Sequence, residues 1–420
     1  MRIAIVGSGV SGLVCAHLLH PHHEVSLFEV DDRPGGHTNT VEVDVGGRSH
    51  QVDTGFIVYN ERTYPAFVGL LGHLGVATKD SDMSFSVADE RTGLEWRGTS
   101  PSTVFAQRRN LANPAFHRML RDVVRFNRAA RRLAADTHAD PDLTLGEFLA
   151  GGRWSRELVD WYLIPLGSAI WSADPRSFAC IPATTFARFF DNHGLLRLGD
   201  QPRWRTVDGG AARYVEAILG RLRGCVQLGT GVEKIVRRPD DGTIELRTDE
   251  GQLAEFDHVI LATHSDQALQ LLADPSPVER DILGAIRYQP NQATLHTDQR
   301  LMPRHRRAWA SWNYHRTAVD TGRATVTYYL NRLQGIEPNV PILLTLNRDA
   351  DIDPALVLGR FEYDHPVLDA TAVRAQRRHE EISGRNGTSF AGAYWRYGFH
   401  EDGVQSALAV CRALGVEAPW

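Results

Sequence analysis

The N-terminal stretch up to Glu29 restricts the fold of this chain more than any other feature. An apolar run from Ile3 to Val6 leads into a turn with glycines at positions 7, 9 and 12, and a helix-period segment and a second apolar run follow. This order predicts strand, glycine turn, helix and strand. The first glycine would allow the turn, the second would admit a pyrophosphate, and the third would let the helix pack on the strand. Free N–H groups at the helix start would bind phosphate, and Glu29 would accept hydrogen bonds from a ribose, so we expect a bound dinucleotide.

Composition limits the remaining possibilities. With 420 residues, 42% of them hydrophobic, the chain is long enough for a globular protein of two or three domains. No apolar segment approaches the roughly 20 residues that span a bilayer, and the predicted first strand leaves no room for a signal peptide. The four cysteines are scattered without metal-ligand spacing, and the net charge is −5. We therefore expect a cytoplasmic protein without a metal site, a disulfide framework or a nucleic-acid partner.

A second glycine motif follows the ribose-binding acid. The pattern Glu29-x-x-x-Arg33-x-Gly35-Gly36-His37 resembles the E-x-x-x-R-x-G-G-R signature of the FAD-dependent amine oxidase and phytoene desaturase superfamily. The resemblance implies that backbone N–H groups of this loop face the same pyrophosphate from the other side. His37 stands where the superfamily usually has arginine, which weakens one phosphate contact.

Two later segments extend this resemblance. Val232 matches the residue that holds the adenine edge through its backbone, and the predicted strand ending at Ala262-Thr263 would lie close to the cofactor. The block from Gly392 to Gly403 resembles the C-terminal flavin motif, in which a helix aims its N-terminus at the flavin. Free N–H groups from Glu401 to Val404 would stabilise negative charge on a reduced flavin. No cysteine occupies the flavin-linking position of the covalent amine oxidases, so the resemblance implies noncovalent FAD.

The predicted fold class is therefore α/β, with a Rossmann-type FAD-binding domain interleaved with an α+β substrate domain. The FAD-binding domain is expected over residues 1–60, 206–272 and 385–420, and the substrate domain over 61–205 and 273–384. The residues expected to bind the cofactor are Gly7, Gly9, Ser11, Gly12, Glu29, Arg33, Gly35, Gly36, His37, Gly55, Val232, Ala262, Gly392, Glu401, Asp402 and Val404.

Two stretches of the predicted substrate domain allow more than one interpretation. The segment from Phe116 to Leu133 has one apolar helix face, and arginines between Arg118 and Arg132 cover the rest. Such a helix either lies on an anionic membrane surface or docks on its own core with a solvated basic face. The aromatic tract from Trp161 to Leu196 is either core or the wall of an apolar substrate cavity.

The lysines bear on the substrate. Flavin amine oxidases usually place a lysine, through a water, at flavin N5, but Lys79 and Lys234 are the only lysines and neither is well placed for that role. Tyr394, Trp395 and Tyr397 could stack on an amine or on an apolar chain equally well. The sequence therefore argues against amine oxidation without excluding it.

Further motifs indicate a narrower family. They are similar to segments of bacterial flavoproteins associated with cyclopropane-fatty-acid-synthase-like lipid methylases, among them the desaturases of methylated furan fatty acid synthesis. The similar segments are Ala169–Ala173, Arg188–Leu196, Tyr329–Gln334, Tyr363–Pro366 and Tyr394–Gly403.

This resemblance implies that a methyl-branched unsaturated acyl chain of a phospholipid becomes a conjugated diene. Hydride transfer to flavin N5 would lead, because the resulting allyl cation is tertiary. His400, or the pair Tyr363 and His365, would then take the proton. Electrons would pass to dioxygen or to another acceptor. The protein would act in the cytoplasm or peripherally at the inner face of the membrane. Two alternatives stay open, namely a flavin amine oxidase acting on a small amine or polyamine and a noncatalytic FAD-binding scaffold.

Overall fold

The structure is a computed structural model that describes residues 1–197, 199, 201–238, 242–319, 321–337 and 340–420. Its strands are β1 (Arg2–Val6), β2 (Glu24–Phe28), β3 (Thr40–Val45), β4 (Arg48–Asp53), β5 (Tyr59–Asn60), β6 (Thr78–Asp80), β7 (Phe85–Asp89), β8 (Leu94–Arg97), β9 (Trp204–Val207), β10 (Val226–Gln227), β11 (Val232–Arg237), β12 (Ile244–Thr248), β13 (Leu253–Phe256), β14 (His258–Leu261), β15 (Tyr288–His296), β16 (Trp312–Arg316), β17 (Val326–Tyr329), β18 (Leu343–Leu346), β19 (Val357–Pro366) and β20 (Thr388–Phe390). Its helices are α1 (Val10–Leu19), α2 (Pro65–Leu74), α3 (Pro101–Val104), α4 (Pro114–Ala135), α5 (Leu145–Gly151), α6 (Arg156–Leu158), α7 (Ile164–Trp171), α8 (Ala183–Asn192), α9 (Ala212–Leu219), α10 (Ser265–Leu271), α11 (Pro277–Gly284), α12 (Leu330–Leu333), α13 (Ala370–Gln376) and α14 (His400–Ala413).

A five-stranded parallel sheet in the order β10-β2-β1-β14-β20 carries the predicted nucleotide-binding unit. Its strands come from widely separated stretches of the chain, because β14 and β20 return to pair beside the N-terminal β1. The sequence prediction of a Rossmann-type α/β fold interleaved with a second α+β part is confirmed.

Side chains of the first strand alternate between two apolar layers, because successive side chains of a strand point to opposite faces. Ile3 and Ile5 pack in a cluster with residues of α1, α9 and α14, whereas Ala4 and Val6 pack with residues of α10, α11 and α13. Both faces of the sheet are therefore covered, as a parallel sheet requires.

The other part of the chain is built on a seven-stranded sheet in the order β19-β15-β18-β17-β16-β7-β8. Its strand pairs are antiparallel except for the parallel pair of β16 and β7. β17 ends at Tyr329, and the short helix α12 begins at the next residue, Leu330. The aromatic tract forms α7, α8 and a short helical turn between them, Ser177–Cys180. Phe178 of that turn is buried together with Phe186 and Phe190 of α8.

The predicted amphipathic helix is α4, which Asn113 caps by accepting from the N–H groups of Ala115 and Phe116. Its apolar face is buried against the core. Among the described residues, no helix has both the length and the apolar character that crossing a bilayer demands.

Candidate functional site

The glycine turn after β1 has the geometry that the three predicted roles require. Gly7 has a φ of +97°, a region that favours glycine, and a Cβ added to Gly12 would lie 1.9 Å from the Gly7 carbonyl oxygen. A Cβ added to Gly9 would meet nothing within 4 Å. Gly7 and Gly12 are therefore needed for packing of α1 on β1, whereas Gly9 leaves open space beside the helix N-terminus.

The carboxylate of Glu29 closes β2 beside this turn. Its Oε2 accepts from the backbone N–H (2.8 Å) and the hydroxyl (2.6 Å) of Ser8, and its Oε1 accepts from the N–H of Asp31 (3.1 Å). A carboxylate offers about four acceptor positions, so Oε1 retains capacity for a ribose hydroxyl. The N–H of Thr230 donates to the Glu29 carbonyl (2.8 Å), which brings the start of β11 at Val232 close to this acid.

The second glycine loop lies directly against the first. The N–H of Gly35 donates to the Ser8 carbonyl (3.0 Å), and a Cβ on Gly36 would lie 3.1 Å from the Cα of Gly9. The guanidinium of Arg33 donates to the loop carbonyls of Pro34, Gly36 and Thr38. In the structure the Arg33 side chain therefore stabilises this loop. The cofactor contact that the sequence predicts for Arg33 stays a prediction.

The C-terminal block meets the N-terminal unit through the starts of two helices. The hydroxyl of Ser11 in α1 donates to the Gly403 carbonyl in α14 (3.0 Å), and a Cβ on Gly403 would lie 2.6 Å from Val10 Cγ1. Ala262, at the end of β14, touches the same turn, since its Cβ lies 3.3 Å from a Cβ added to Gly12. The positive ends of α1 and α14 therefore lie side by side, which suits an anionic cofactor.

Near the start of α14, side chains make contacts that the sequence did not indicate. The Glu401 carboxylate accepts from the N–H groups of Ala66 (3.1 Å) and Phe67 (2.9 Å) in the first turn of α2. Gly392 donates its N–H to the Ser406 hydroxyl (3.0 Å), and Val404 is fully buried. The Glu401 side chain is thus engaged with α2, so that of this residue only the backbone N–H is left to serve a cofactor.

His400 lies in a buried network. Its Nε2 is 2.8 Å from the Tyr214 hydroxyl and 3.1 Å from Thr38 Oγ1, and its ring stacks on Phe56 at a centroid distance of 3.7 Å. Burial lowers the pKa of His400 to about 3. The imidazole is therefore neutral and a weak base, and this environment does not support the predicted role of His400 as proton acceptor.

Tyr363 is also engaged. Asn39 Nδ2 donates to its hydroxyl (3.0 Å), and the hydroxyl donates to Thr54 Oγ1 (2.8 Å), because Thr54 donates its own proton to the Asn39 carbonyl. Burial raises the pKa of the Tyr363 phenol. The phenol therefore keeps its proton, an environment that does not favour the predicted role of Tyr363 as proton acceptor. Its ring borders Gly55, where an added Cβ would lie 3.3 Å from Tyr363 Cζ.

A relay of amides sets the state of His365. The N–H of Gln292 donates to Asn347 Oδ1, Asn347 Nδ2 donates to Asn291 Oδ1, and this leaves Asn291 Nδ2 to donate to His365 Nδ1 at 3.1 Å. The neutral ring must then carry its proton on Nε2, and burial lowers the pKa of His365 to about 4. His365 is thus a hydrogen-bond donor at Nε2, a state that does not favour its predicted role in accepting a proton.

His37 completes this cluster. Its ring centroid lies 5.1 Å from that of Tyr363, 5.5 Å from that of His365 and 6.1 Å from that of His264. Burial, together with the neighbouring histidines, lowers the pKa of His37 well below its usual value. The side chain that replaces the superfamily arginine is therefore an uncharged ring packed among other rings.

A cavity of about 770 Å³ opens at the start of α14. The C-terminal end of α8 and the segment before α2 complete its wall. Its lining residues include the aromatic side chains of Tyr64, Phe189, Tyr397 and Phe399, the arginines Arg62, Arg197 and Arg396, and the acids Asp191, Glu401 and Asp402.

Asp402 is a buried acid of this cavity. It is 7% exposed and accepts from the N–H of Phe399 (2.9 Å). Burial raises the pKa of Asp402 to about 7, against the opposing effects of the Phe399 N–H and the Arg396 charge. A cavity carboxyl that ionises near neutral pH is suited to proton transfer. The sequence offered only the backbone of this residue, since nothing local predicts the burial of its side chain.

The residues present fit FAD. Open space at Gly9, spare acceptor capacity on buried Glu29 and the two adjacent helix N-termini of α1 and α14 suit a pyrophosphate, a ribose and an anionic ring system respectively. The assignment of individual cofactor contacts stays a prediction.

Comparison with known proteins gives several matches. A flavin-dependent L-tryptophan oxidase of Lentzea aerocolonigenes is 25% identical over 281 residues, which cover 62% of this chain and only 57% of that protein. The fold is similar to the crystal structure of a fatty acid isomerase from P. acnes (TM-score 0.70, 16% identity, 98% of each chain). It is equally similar to cyclohexylamine oxidase from Brevibacterium oxydans (TM-score 0.70, 18% identity, 99% of each chain). These structural likenesses concern the fold alone.

The match to a protein family is more extensive. The sequence model of the flavin containing amine oxidoreductases matches residues 10–330, which is more than half of the chain. That range contains α1, the second glycine loop and β14, which are parts of the site described above. The chain therefore belongs to the flavin containing amine oxidoreductase family, and FAD is its cofactor.

Proposed function

We propose that this protein is an FAD-dependent oxidoreductase that desaturates a methyl-branched unsaturated acyl chain of a membrane phospholipid to a conjugated diene. The observation that carries the proposal is the cavity at the start of α14, with aromatic rings and arginines in one lining. Aromatic walls suit an apolar chain, and arginine guanidinium groups suit the phosphate of a lipid head group. The motif resemblance to desaturases of methylated furan fatty acid synthesis supports the same substrate class.

The positions of the lysines support an acyl substrate over an amine. Lys79 forms an ion pair with Asp208 (3.1 Å) and its side chain is 38% exposed, while Lys234 is exposed on β11. Neither lysine lines the cavity. Amine oxidation that depends on a buried lysine near the flavin therefore has no residue to support it.

The similar folds include proteins named for a fatty acid and for an amine. One similar structure is that of a fatty acid isomerase and another that of a cyclohexylamine oxidase. Oxidation of a small amine or polyamine is the second candidate, and the acids Asp191, Glu401 and Asp402 in the cavity favour it. Two of these acids are already engaged, since Glu401 caps α2 and Asp191 lies 3.6 Å from Arg197.

Desaturation removes a hydride from one carbon and a proton from its neighbour, and the electron pair of the second C–H bond forms the new double bond. When bound, FAD supplies the hydride acceptor, and dioxygen or another oxidant reoxidises it. The task of the chain is to take the proton and to exclude water. We assign the proton to the Asp402 carboxylate, because it is a buried cavity acid whose pKa of about 7 leaves it partly ionised at neutral pH.

The variant Asp402→Asn is expected to be more stable than the parent protein and less active. Asparagine still accepts the Phe399 N–H but carries no buried charge. The pKa of Asp402 is about 7 in the folded protein, against an ordinary value of 3.8. The parent therefore loses stability relative to the variant as pH rises from about 4 to about 7, and above that the difference stays constant, on the order of a few kcal/mol. Thermal unfolding at pH 5 and pH 8 measures this difference.

The same variant is expected to slow flavin reduction by lipid about 100-fold, as loss of a general base does. Asp191→Asn is the matched control, because it removes another carboxyl of the cavity and should leave the reduction rate near that of the parent. An Asp402→Asn protein that reduces its flavin at the parent rate would show that the proton goes elsewhere.

Anaerobic mixing tests the substrate class. Methylated unsaturated phospholipid in mixed micelles is expected to bleach the flavin absorbance band, whereas benzylamine and putrescine are expected to leave it unchanged. The double variant Lys79→Met and Lys234→Met should reduce as fast as the parent, because neither lysine lines the cavity. Bleaching by an amine, lost in this double variant, would establish the amine oxidase alternative. No reduction by any donor would indicate a noncatalytic FAD-binding scaffold.

A further inference from the structure

An unbroken row of arginines runs along the outer face of α4. The spacing of three and four residues places Arg118, Arg121, Arg125, Arg128 and Arg132 on one side of the helix, and all are exposed. At 1.5 Å per residue, this arginine stripe extends over about 21 Å. Arg108, Arg109 and Arg131 are exposed nearby.

The protein balances only part of this charge. Asp122 is the single acid between residues 108 and 135, and it pairs with Arg125 (2.7 Å) and Arg121 (3.4 Å). Glu157 from α6 pairs with Arg118. Among the described residues, no carboxylate lies within 4 Å of Arg128, Arg131 or Arg132. Like charges at these spacings destabilise a helix, so an external anionic partner would reduce the repulsion among the arginines.

The opposite face of α4 restricts how such a partner binds. Phe116, Met119, Val123 and Phe126 are buried in the core. The helix therefore cannot place its apolar face in a bilayer, as amphipathic helices at interfaces do. Contact must be electrostatic and made through the arginines.

The stripe lies next to the wall of the candidate cavity. α4 packs on α8, where Phe126 meets Phe186 at a centroid distance of 6.0 Å and Arg188 Nε donates to the Ala134 carbonyl at 3.5 Å. The following turn of α8 contributes Phe189 and Asp191 to the cavity lining. α8 therefore links the helix that carries the stripe to the lining of the cavity.

We propose that the arginine stripe of α4 docks the protein on an anionic phospholipid surface and so presents the cavity to lipid. The docking rests on the proposed function, since it identifies the source of the acyl substrate as a membrane. A straight row of charges matches a flat array of head groups, and each arginine near such a surface adds to the attraction. Nucleic acid is disfavoured by the overall charge of −5.

Vesicle co-sedimentation of the full-length holoenzyme tests the docking. Vesicles of phosphatidylcholine alone and of phosphatidylcholine with phosphatidylglycerol are compared at low and high salt. The variant Arg128→Gln/Arg131→Gln/Arg132→Gln removes the three arginines without an acid partner. The control Arg48→Gln/Arg223→Gln/Arg385→Gln removes the same charge from exposed positions elsewhere. The first variant is expected to bind the anionic vesicles about 100-fold more weakly than the parent, and the control as well as the parent.

Binding that requires phosphatidylglycerol, weakens with salt and is lost only in the α4 variant would support the proposal. Equal binding of both variants, or binding to duplex DNA without binding to vesicles, would overturn it. Flavin reduction by the same lipid in detergent micelles is measured in parallel with the α4 variant. Retained reduction with unchanged vesicle binding would refute the docking alone, whereas absent reduction would refute the proposed function.

Discussion

Replacing Gly9 with alanine is expected to leave the protein folded and to weaken FAD binding by about 10- to 100-fold. Gly9 has φ −63° and ψ 178°, which alanine adopts freely, and an added Cβ meets no protein atom within 4 Å. The methyl group instead occupies the space where the pyrophosphate must approach the backbone. Crowding of this kind costs about 1–3 kcal/mol, which corresponds to the expected loss of affinity.

Titration of the apoprotein with FAD, followed by flavin fluorescence, measures this loss. Denaturant unfolding of the apoprotein should give the same free energy for Gly9→Ala as for the parent. An unchanged FAD affinity would mean that the cofactor does not lie against the first turn of α1.

Replacing Gly12 with alanine is expected to damage both the fold and cofactor binding. Its Cβ would lie 1.9 Å from the Gly7 carbonyl oxygen and 3.3 Å from the Ala262 Cβ. Because the first of these atoms belongs to the backbone, α1 must move away from β1. We expect the free energy of unfolding to fall by about 3 kcal/mol, at the upper end of overpacking effects, and FAD to be lost on purification.

Gly72→Ala is the control for this variant. Gly72 lies within α2, and an added Cβ meets no atom within 4 Å, so alanine should raise stability by up to about 1 kcal/mol. Equal unfolding free energies for Gly12→Ala and the parent would contradict the close approach of helix and strand.

The N-terminal part of the site could be predicted because its geometry is local. The turn, the helix and the acid at Glu29 lie within one short stretch, and the spacing of glycines encodes the strand–turn–helix directly. The Ser8 hydroxyl also orients Glu29 and supports Gly35. The sequence signal for this role is the position of Ser8 between the first two glycines.

The protonation states of the predicted proton acceptors could not be derived from the sequence because they depend on distant partners. Burial keeps His400 neutral, and its neighbours Phe56, Tyr214 and Thr38 approach it only in the folded chain. The tautomer of His365 follows from Asn347 and Asn291, neither of which belongs to a recognisable motif. Sequence identified residue types with suitable chemistry but not their hydrogen-bond partners.

The periodicity of α4 predicted an arginine-covered helix, but not whether its apolar face contacts lipid or the protein core. An identical pattern fits a helix in a lipid interface and a helix on a protein core. Burial of Phe116 and Phe126 decides between them for this chain.

The hydrogen bond from Ser11 to Gly403 joins residues that are 392 positions apart in the chain. During synthesis, α1 and its glycine turn leave the ribosome long before α14 exists, at about 5–20 residues per second. For that interval, which lasts tens of seconds, the nascent chain holds only the adenosine half of its cofactor site. FAD is therefore expected to be captured in full only after translation of α14, and cells short of flavin should accumulate the completed chain in a form that proteases digest readily.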